Sequence, residues 1–158
     1  MSEQKIDVRV VRLEPMRVAC VNGFGEGPES IAFNKMRAYV KAVGLDTDGK
    51  QHRFFGYNNP NPSAGSPNYG YDVWVTVDAD AQPEEGVRMI DFPGGLYAVT
   101  SIRPMTGEEI PGAWQKLAAW RANNRYRSSN HQWLEEHIGD IEKEFPDLTL
   151  DLYLPIAE

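Results

Sequence analysis

A single cysteine in 158 residues, Cys20, excludes an internal disulfide and leaves no thiolate set for a structural zinc site. Its neighbours Val18, Ala19 and Val21 mark it as a small buried hydrophobe. Long apolar runs are also missing: none approaches the ~18–20 residues of a membrane span, and the opening MSEQKIDVRV carries no apolar stretch of a secretory signal. A membrane partner is therefore not expected, and the expected location is the cytoplasm. Basic charge is scarce, with 16 Lys and Arg against 23 Asp and Glu, a formal net charge of −7 and no basic run. Such a field repels phosphate, so a direct nucleic-acid partner is not expected. What remains is globular composition, 41% hydrophobic and 25% charged, in a length that suits one domain over 1–158.

The most informative feature is an internal repeat. AFNKMRAY (32–39) overlays AWQKLAAW (113–120) at an offset of 81, with aromatic, Lys, aliphatic and aromatic residues in matching places. RLEPMRVACV (12–21) faces MIDFPGGLYAV (89–99), Pro15 on Pro93, at an offset of 78. YDVWVTV (71–77) faces LDLYLPI (150–156), Asp72 on Asp151 and Trp74 on Tyr153, at an offset of 79. Three segments recurring in one order define repeats over about 6–77 and 87–156.

Each repeat reads as a β-hairpin piece, a helix and a return strand. Strands are expected over 6–13 and 17–24 around Glu14-Pro15-Met16, and over 87–93 and 96–102 around Pro93-Gly94-Gly95. Helices are expected from Pro28 to about Val43 and from Pro111 to about Asn123, since proline suits the first helical position. The segment from Phe54 to Tyr71, FFGYNNPNPSAGSPNYGY, reads as a loop that Phe54-Phe55 enter through a short strand or a core anchor. The fold class is α+β: two pseudo-twofold-related β-α-β-β repeats, a curved antiparallel sheet with both helices on one face, and a central ligand cleft.

Period-2 geometry then assigns faces. Asp72 and Trp74, with Asp151 and Tyr153, point one way and are expected as walls of the groove. Tyr71, Val73 and Val75, with Leu150, Leu152 and Leu154, take the face expected to pack on the helices. The stretch HQWLEEH (131–137) admits two readings. Leu134, Ile138, Ile141 and Phe145 fall at helical spacing that Pro146 would end. A resemblance to a known family, carried by LEEHI and the segments around it, implies instead a strand over 133–138 with Trp133, Glu135 and His137 on one face and Leu134, Glu136 and Ile138 on the other. Gly139-Asp140 as a turn favours the strand. Either way Glu136 is expected in solvent, and His52 and His131 in exposed loops or edges. His131 and His137 on one strand would stand about 20 Å apart at ~3.3 Å per residue, too far for one ion, so neither a metal nor a cofactor is expected.

PGGLYAV, AWQKLAAW, LEEHI and LTLDLYLPI in that order, with YGYDVWVTV in the first repeat, resemble the GyrI-like effector-binding domains. That family includes ligand-binding domains of multidrug-sensing regulators, gyrase-inhibitor proteins and a set of small-molecule hydrolases. The resemblance spans about Ile6 to Ile156, and the residues before Ile6 are too few for a DNA-binding domain. It implies a cleft on the pseudo-twofold axis that takes hydrophobic, often cationic, aromatic small molecules over a carboxylate in an aromatic cage. The family Glu is followed two residues later by Tyr, and here that register gives Glu135 and His137, a departure at the second place. The expected ligand-binding set is Glu135, Trp74, Tyr153, Trp133, Tyr71, Tyr97 and His137. If the domain is a hydrolase, Glu135 would be the general base and Tyr71 or Tyr153 the acid. A protein partner, a separate regulator or DNA gyrase, is the remaining reading.

Overall fold

The computed structural model describes residues 6–158 apart from 60, 62 and 145, so Phe145 lies outside the described residues. Strands β1 (Arg9–Leu13) and β2 (Met16–Gly25) precede helix α1 (Pro28–Val43), followed by β3 (Phe54–Asn58) and β4 (Tyr69–Val77). The second half runs β5 (Arg88–Phe92), β6 (Gly95–Ile102), α2 (Ile110–Ala122), β7 (Arg127–Ser128), β8 (Leu134–Ile138) and β9 (Thr149–Ala157). The stretch 134–138 is thus a strand, closed by Gly139 at φ +89°. A capping box between Thr106 and Glu109 closes the 3-10 turn that leads into α2. Among the described residues, no helix is long and apolar enough to cross a membrane.

The strands form one antiparallel sheet in the order β1-β6-β9-β8-β3-β4-β2-β5, with β7 on the end of β9. The expected hairpins do not form. β1 pairs with β6 and β2 with β5, so each half lends its first strand to the other. Only Glu14 and Pro15 separate β1 from β2, a reach of at most about 11 Å over three Cα steps. In a flat sheet those strands would stand six places apart, roughly 29 Å at about 4.8 Å each. The sheet must therefore curl strongly, as a half-barrel, which brings its two corners together so that they cross. Gly94, at φ +82°, passes so close that a Cβ on it would lie 2.3 Å from the Leu13 carbonyl oxygen. Proline and glycine at this corner serve a crossing of chains rather than a hairpin.

Both helices cover one face. Ala32, Met36, Tyr39 and Val40 of α1 pack on Ala19, Val21, Val73 and Val75, and Leu117 of α2 packs on Ala98, Leu150, Leu152 and Leu154. On the opposite face Val18, Cys20, Phe55, Trp74, Phe92, Tyr97 and Tyr153 bury one another with no helix over them. Burial there follows from the curl, because side chains on the inside of a closed arc converge. Cys20 is 1% exposed, and burial pushes its thiol up to about 11.

Candidate functional site

A large cavity lies on the helix-covered face, between α1 and α2. It measures about 1220 Å³, ample for a drug-sized molecule. Its walls include Phe33 of α1, Trp114 of α2, Tyr69 and Tyr71 of β4, and Glu135 and His137 of β8. Glu135 sits opposite Gly56, and Tyr71 lies one strand beyond, on β4. The missing side chain of Gly56 is what lets these two meet. The Tyr71 ring lies across the glycine, where a Cβ would stand 2.2 Å from the phenol oxygen, and that hydroxyl donates to Glu135 Oε1 at 2.9 Å.

The other carboxylate oxygen is held from the helix side: Trp114 Nε1 donates to Glu135 Oε2 at 3.0 Å. No lysine, arginine or histidine of the described residues lies within ion-pair distance of this carboxylate. Burial raises the Glu135 carboxyl above its ordinary value. The hydrogen bonds from Trp114 and Tyr71 pull it back, and Glu29 adds to the rise. Burial and the adjacent Glu135 hold the Tyr71 phenol well above its usual range, so it stays protonated. His137 is pushed down by burial, which favours the neutral ring, and its Nε2 is 2.9 Å from the Asp140 carbonyl. A second cavity of about 430 Å³ opens on the far side of Trp114 where β3 and β8 part after Gly56 and Glu135. Trp133, 47% exposed, packs at a tilt against Trp114 with ring centroids 5.1 Å apart and lines this smaller cavity with Glu135.

The expected residues thus divide. Glu135, Tyr71, His137 and Trp133 gather around the two cavities. Trp74, Tyr153 and Tyr97 do not join them. Their strand parity was read correctly, but the groove was assigned to the wrong face: the helices leave a space between them, while the opposite face is filled by the curl of the sheet. There Trp74 Nε1 donates to the Tyr57 hydroxyl, and Tyr97 meets Tyr153 edge-on at 5.5 Å. Asp72 and Asp151 occupy this face too, and each ties an edge strand through Arg88 or Arg9. Glu136, expected in solvent, is buried against Arg53, which donates from Nε and Nη2 at 2.8 Å each. His131 and His52 are half-buried rather than exposed: His131 lies 2.7 Å from the Leu96 carbonyl, and His52 2.7 Å from that of Thr76.

Residues 9–156 match the integron-associated effector binding protein family, Cass2. The chain belongs to this family. It is a GyrI-like family, in keeping with the resemblance read from the sequence. No curated protein sequence matches the chain. Among solved structures, the EcmrR C-terminal domain superposes with a TM-score of 0.72 at 11% identity, covering 98% of this chain and 99% of that one. EcmrR in a transcription complex with DNA gives a TM-score of 0.75 at 13% identity over 96% of this chain, which spans only 57% of that longer protein. SAV2435 bound to tetraphenylphosphonium gives 0.60 at 13% identity, over 96% of this chain and 94% of that one. A hydrolase from Listeria innocua gives 0.62 at 11% identity, over 98% and 94%. At these identities the solved structures establish the fold alone.

This member of the effector-binding family also recruits residues that sequence reasoning passed over. Trp114 was assigned to a helix stripe packed on the sheet, yet its indole N–H reaches the acid. Gly56 sits in a strand-like run, FFGY, and a glycine inside a strand is a recognised sign of close approach. Phe33 packs near both Tyr71 and His137, with ring centroids 6.1 and 5.7 Å away. Glu29 lines the cavity from the first turn of α1 and accepts from the Tyr69 hydroxyl at 2.6 Å.

Proposed function

We propose that this domain binds lipophilic cationic aromatic small molecules in the cavity between α1 and α2, acting in the cytoplasm as a drug or toxin sensor or sequestering module. One observation carries the reading: Glu135 is a carboxylate set among aromatic rings, hydrogen-bonded by Tyr71 and Trp114 but with no cation within ion-pair distance among the described residues. A bound cation would supply the missing charge, and the ring faces would add cation–π attraction of about 0.5–2 kcal/mol each. The net charge of −7 favours the same class of ligand. The tetraphenylphosphonium bound to SAV2435 is a ligand of this chemistry in a protein of the same fold. The test is a titration of ethidium, and of a neutral molecule of similar shape, against the parent protein and Glu135→Gln. A loss confined to ethidium supports the reading, and equal loss of both overturns it.

The groove is read as lying between repeats 6–77 and 87–156. Two ion pairs support this: Arg9 with Asp151 and Arg88 with Asp72 join equivalent positions 79 residues apart, each clamping an edge strand two places inward.

A second reading rests on the acid's chemistry. A carboxyl raised by burial is a competent general base for water, and Tyr71 retains a proton that could pass to a leaving oxygen. A hydrolase among the proteins of this fold favours keeping it. Incubation with electrophilic cyclopropane-bearing aromatic compounds, followed for turnover that Glu135→Gln abolishes, decides it. Binding without turnover leaves the module reading alone.

A further inference from the structure

The large cavity holds a second carboxylate at its other flank. Glu29 and Tyr69 face Glu135 and Tyr71 as two acid–phenol pairs, and the phenols come from the same face of β4 at positions two apart, about 7 Å along the strand. An acid in a helix's first turn ordinarily serves the helix dipole. Here the side chain also reaches across to the sheet and lines the cavity. Neither Glu29 nor Glu135 has a basic partner within ion-pair distance among the described residues. Glu29 contributes to the rise of both the Glu135 carboxyl and the Tyr71 phenol.

The charged groups of the cavity are also unevenly distributed along it. Arg37 lies two turns further along α1, about 12 Å from Glu29 at 1.5 Å per residue, and it lines the cavity with Lys143 and His137. Arg37 is paired with Glu142 at 3.2 Å. That end is balanced in charge, with Arg37 paired to Glu142 and Lys143 lining the cavity beside Glu144, whereas Glu135 and Glu29 have no basic partner among the described residues and attract a ligand's positive charge. Resting on the cation-binding reading above, we propose that Glu29 is a second cation-recognising residue, and that the cavity selects aromatic dications over monocations built on the same ring system.

Ethidium and propidium share one phenanthridinium and differ by a quaternary ammonium on a short arm, so they isolate the second charge. Fluorescence titration of the whole chain at fixed ionic strength should give propidium about fivefold tighter binding than ethidium, the upper size of one partly screened charge contact. Glu29→Gln should bring that ratio to near one while ethidium affinity stays within about threefold. Glu26→Gln removes the same charge from an exposed position just before α1 and should leave the ratio intact. Ethidium binding with no propidium preference, or a ratio that falls equally in Glu26→Gln, overturns the role of Glu29. Failure of both dyes to bind the parent protein overturns the cavity reading itself.

Discussion

Glu135 and Glu136 are neighbours in sequence and opposites in circumstance. Strand alternation sends Glu135 to the helix-covered face and Glu136 into the inside of the curl. Glu136 finds a guanidinium in bidentate geometry and the Tyr153 hydroxyl at 2.7 Å, so its charge is matched within the fold. Glu135 finds two neutral donors and, among the described residues, no cation to pair with. One acid completes the structure, and the other is left incomplete by it. An unmatched charge in a cavity is a cost to folding that a ligand can offset, which is how a binding site differs from a core.

The comparison breaks most sharply at Arg53. Arg53→Met strands Glu136, 5% exposed, without its cation, and should cost about 3 kcal/mol of stability, the low end for a broken buried pair because Arg53 itself is partly solvated. Urea denaturation would read the loss, and ethidium affinity measured where the variant is still folded should be unchanged. A stable Arg53→Met protein would mean that Glu136 is satisfied by Tyr153 alone.

The next largest effect belongs to Gly56. Gly56→Ala places a methyl group where the Tyr71 hydroxyl now lies, at 2.2 Å. The ring must move, the bond to Glu135 is lost, and the packing strain should cost about 1–3 kcal/mol. Tyr71→Phe removes the same hydrogen bond without crowding and should be milder, about 1 kcal/mol. If denaturation midpoints of the two variants coincide, the glycine is not there for the tyrosine.

Much of this arrangement could be read in the chain before its structure was known. Both helices, the return strands and the β8 strand follow from proline placement, period-2 alternation and the Gly139 turn, because these signals are local. Pairing was not legible. Nothing in MRVACV or MIDF says that β2 will meet β5 rather than β1, since the swap is decided by the closure of the whole sheet. The same blindness put the groove on the face of Trp74 and Tyr153: alternation separates two faces of a strand but cannot say which one curls closed. Glu136 was misjudged because its partner Arg53 lies 83 positions away. Trp114 was missed because one side chain can fill a helix stripe and still offer its N–H to an acid.

A smaller effect is expected at the cavity mouth. Trp133→Ala removes a half-exposed indole packed at a tilt against Trp114, and should weaken aromatic ligands by about 0.5–1.5 kcal/mol with little change in stability. Unchanged dye affinity would confine the ligand to the larger cavity.

The subtlest difference between the two acids is in their response to pH. Glu135 has a folded-state carboxyl raised above its unfolded value, so as pH climbs from the ordinary carboxylate range to that raised value the unfolded chain ionises first, and stability falls across this window. The groups facing it are Glu29 from α1, Tyr69 and Tyr71 from β4, Trp114 from α2 and His137 from its own strand. His137 works the other way: its depressed value means that stability is lost as pH falls from the ordinary imidazole range toward it. Glu135→Gln should therefore flatten the acid-side slope and leave the histidine slope in place. The cation carries the same sign into binding. Ethidium favours the carboxylate, so its affinity should rise with pH through the Glu135 window and release a proton as it binds. In Glu135→Gln that part of the pH dependence should vanish. An ethidium affinity flat with pH in the parent protein would mean that Glu135 is ionised throughout, matched by a charge that the fold supplies after all.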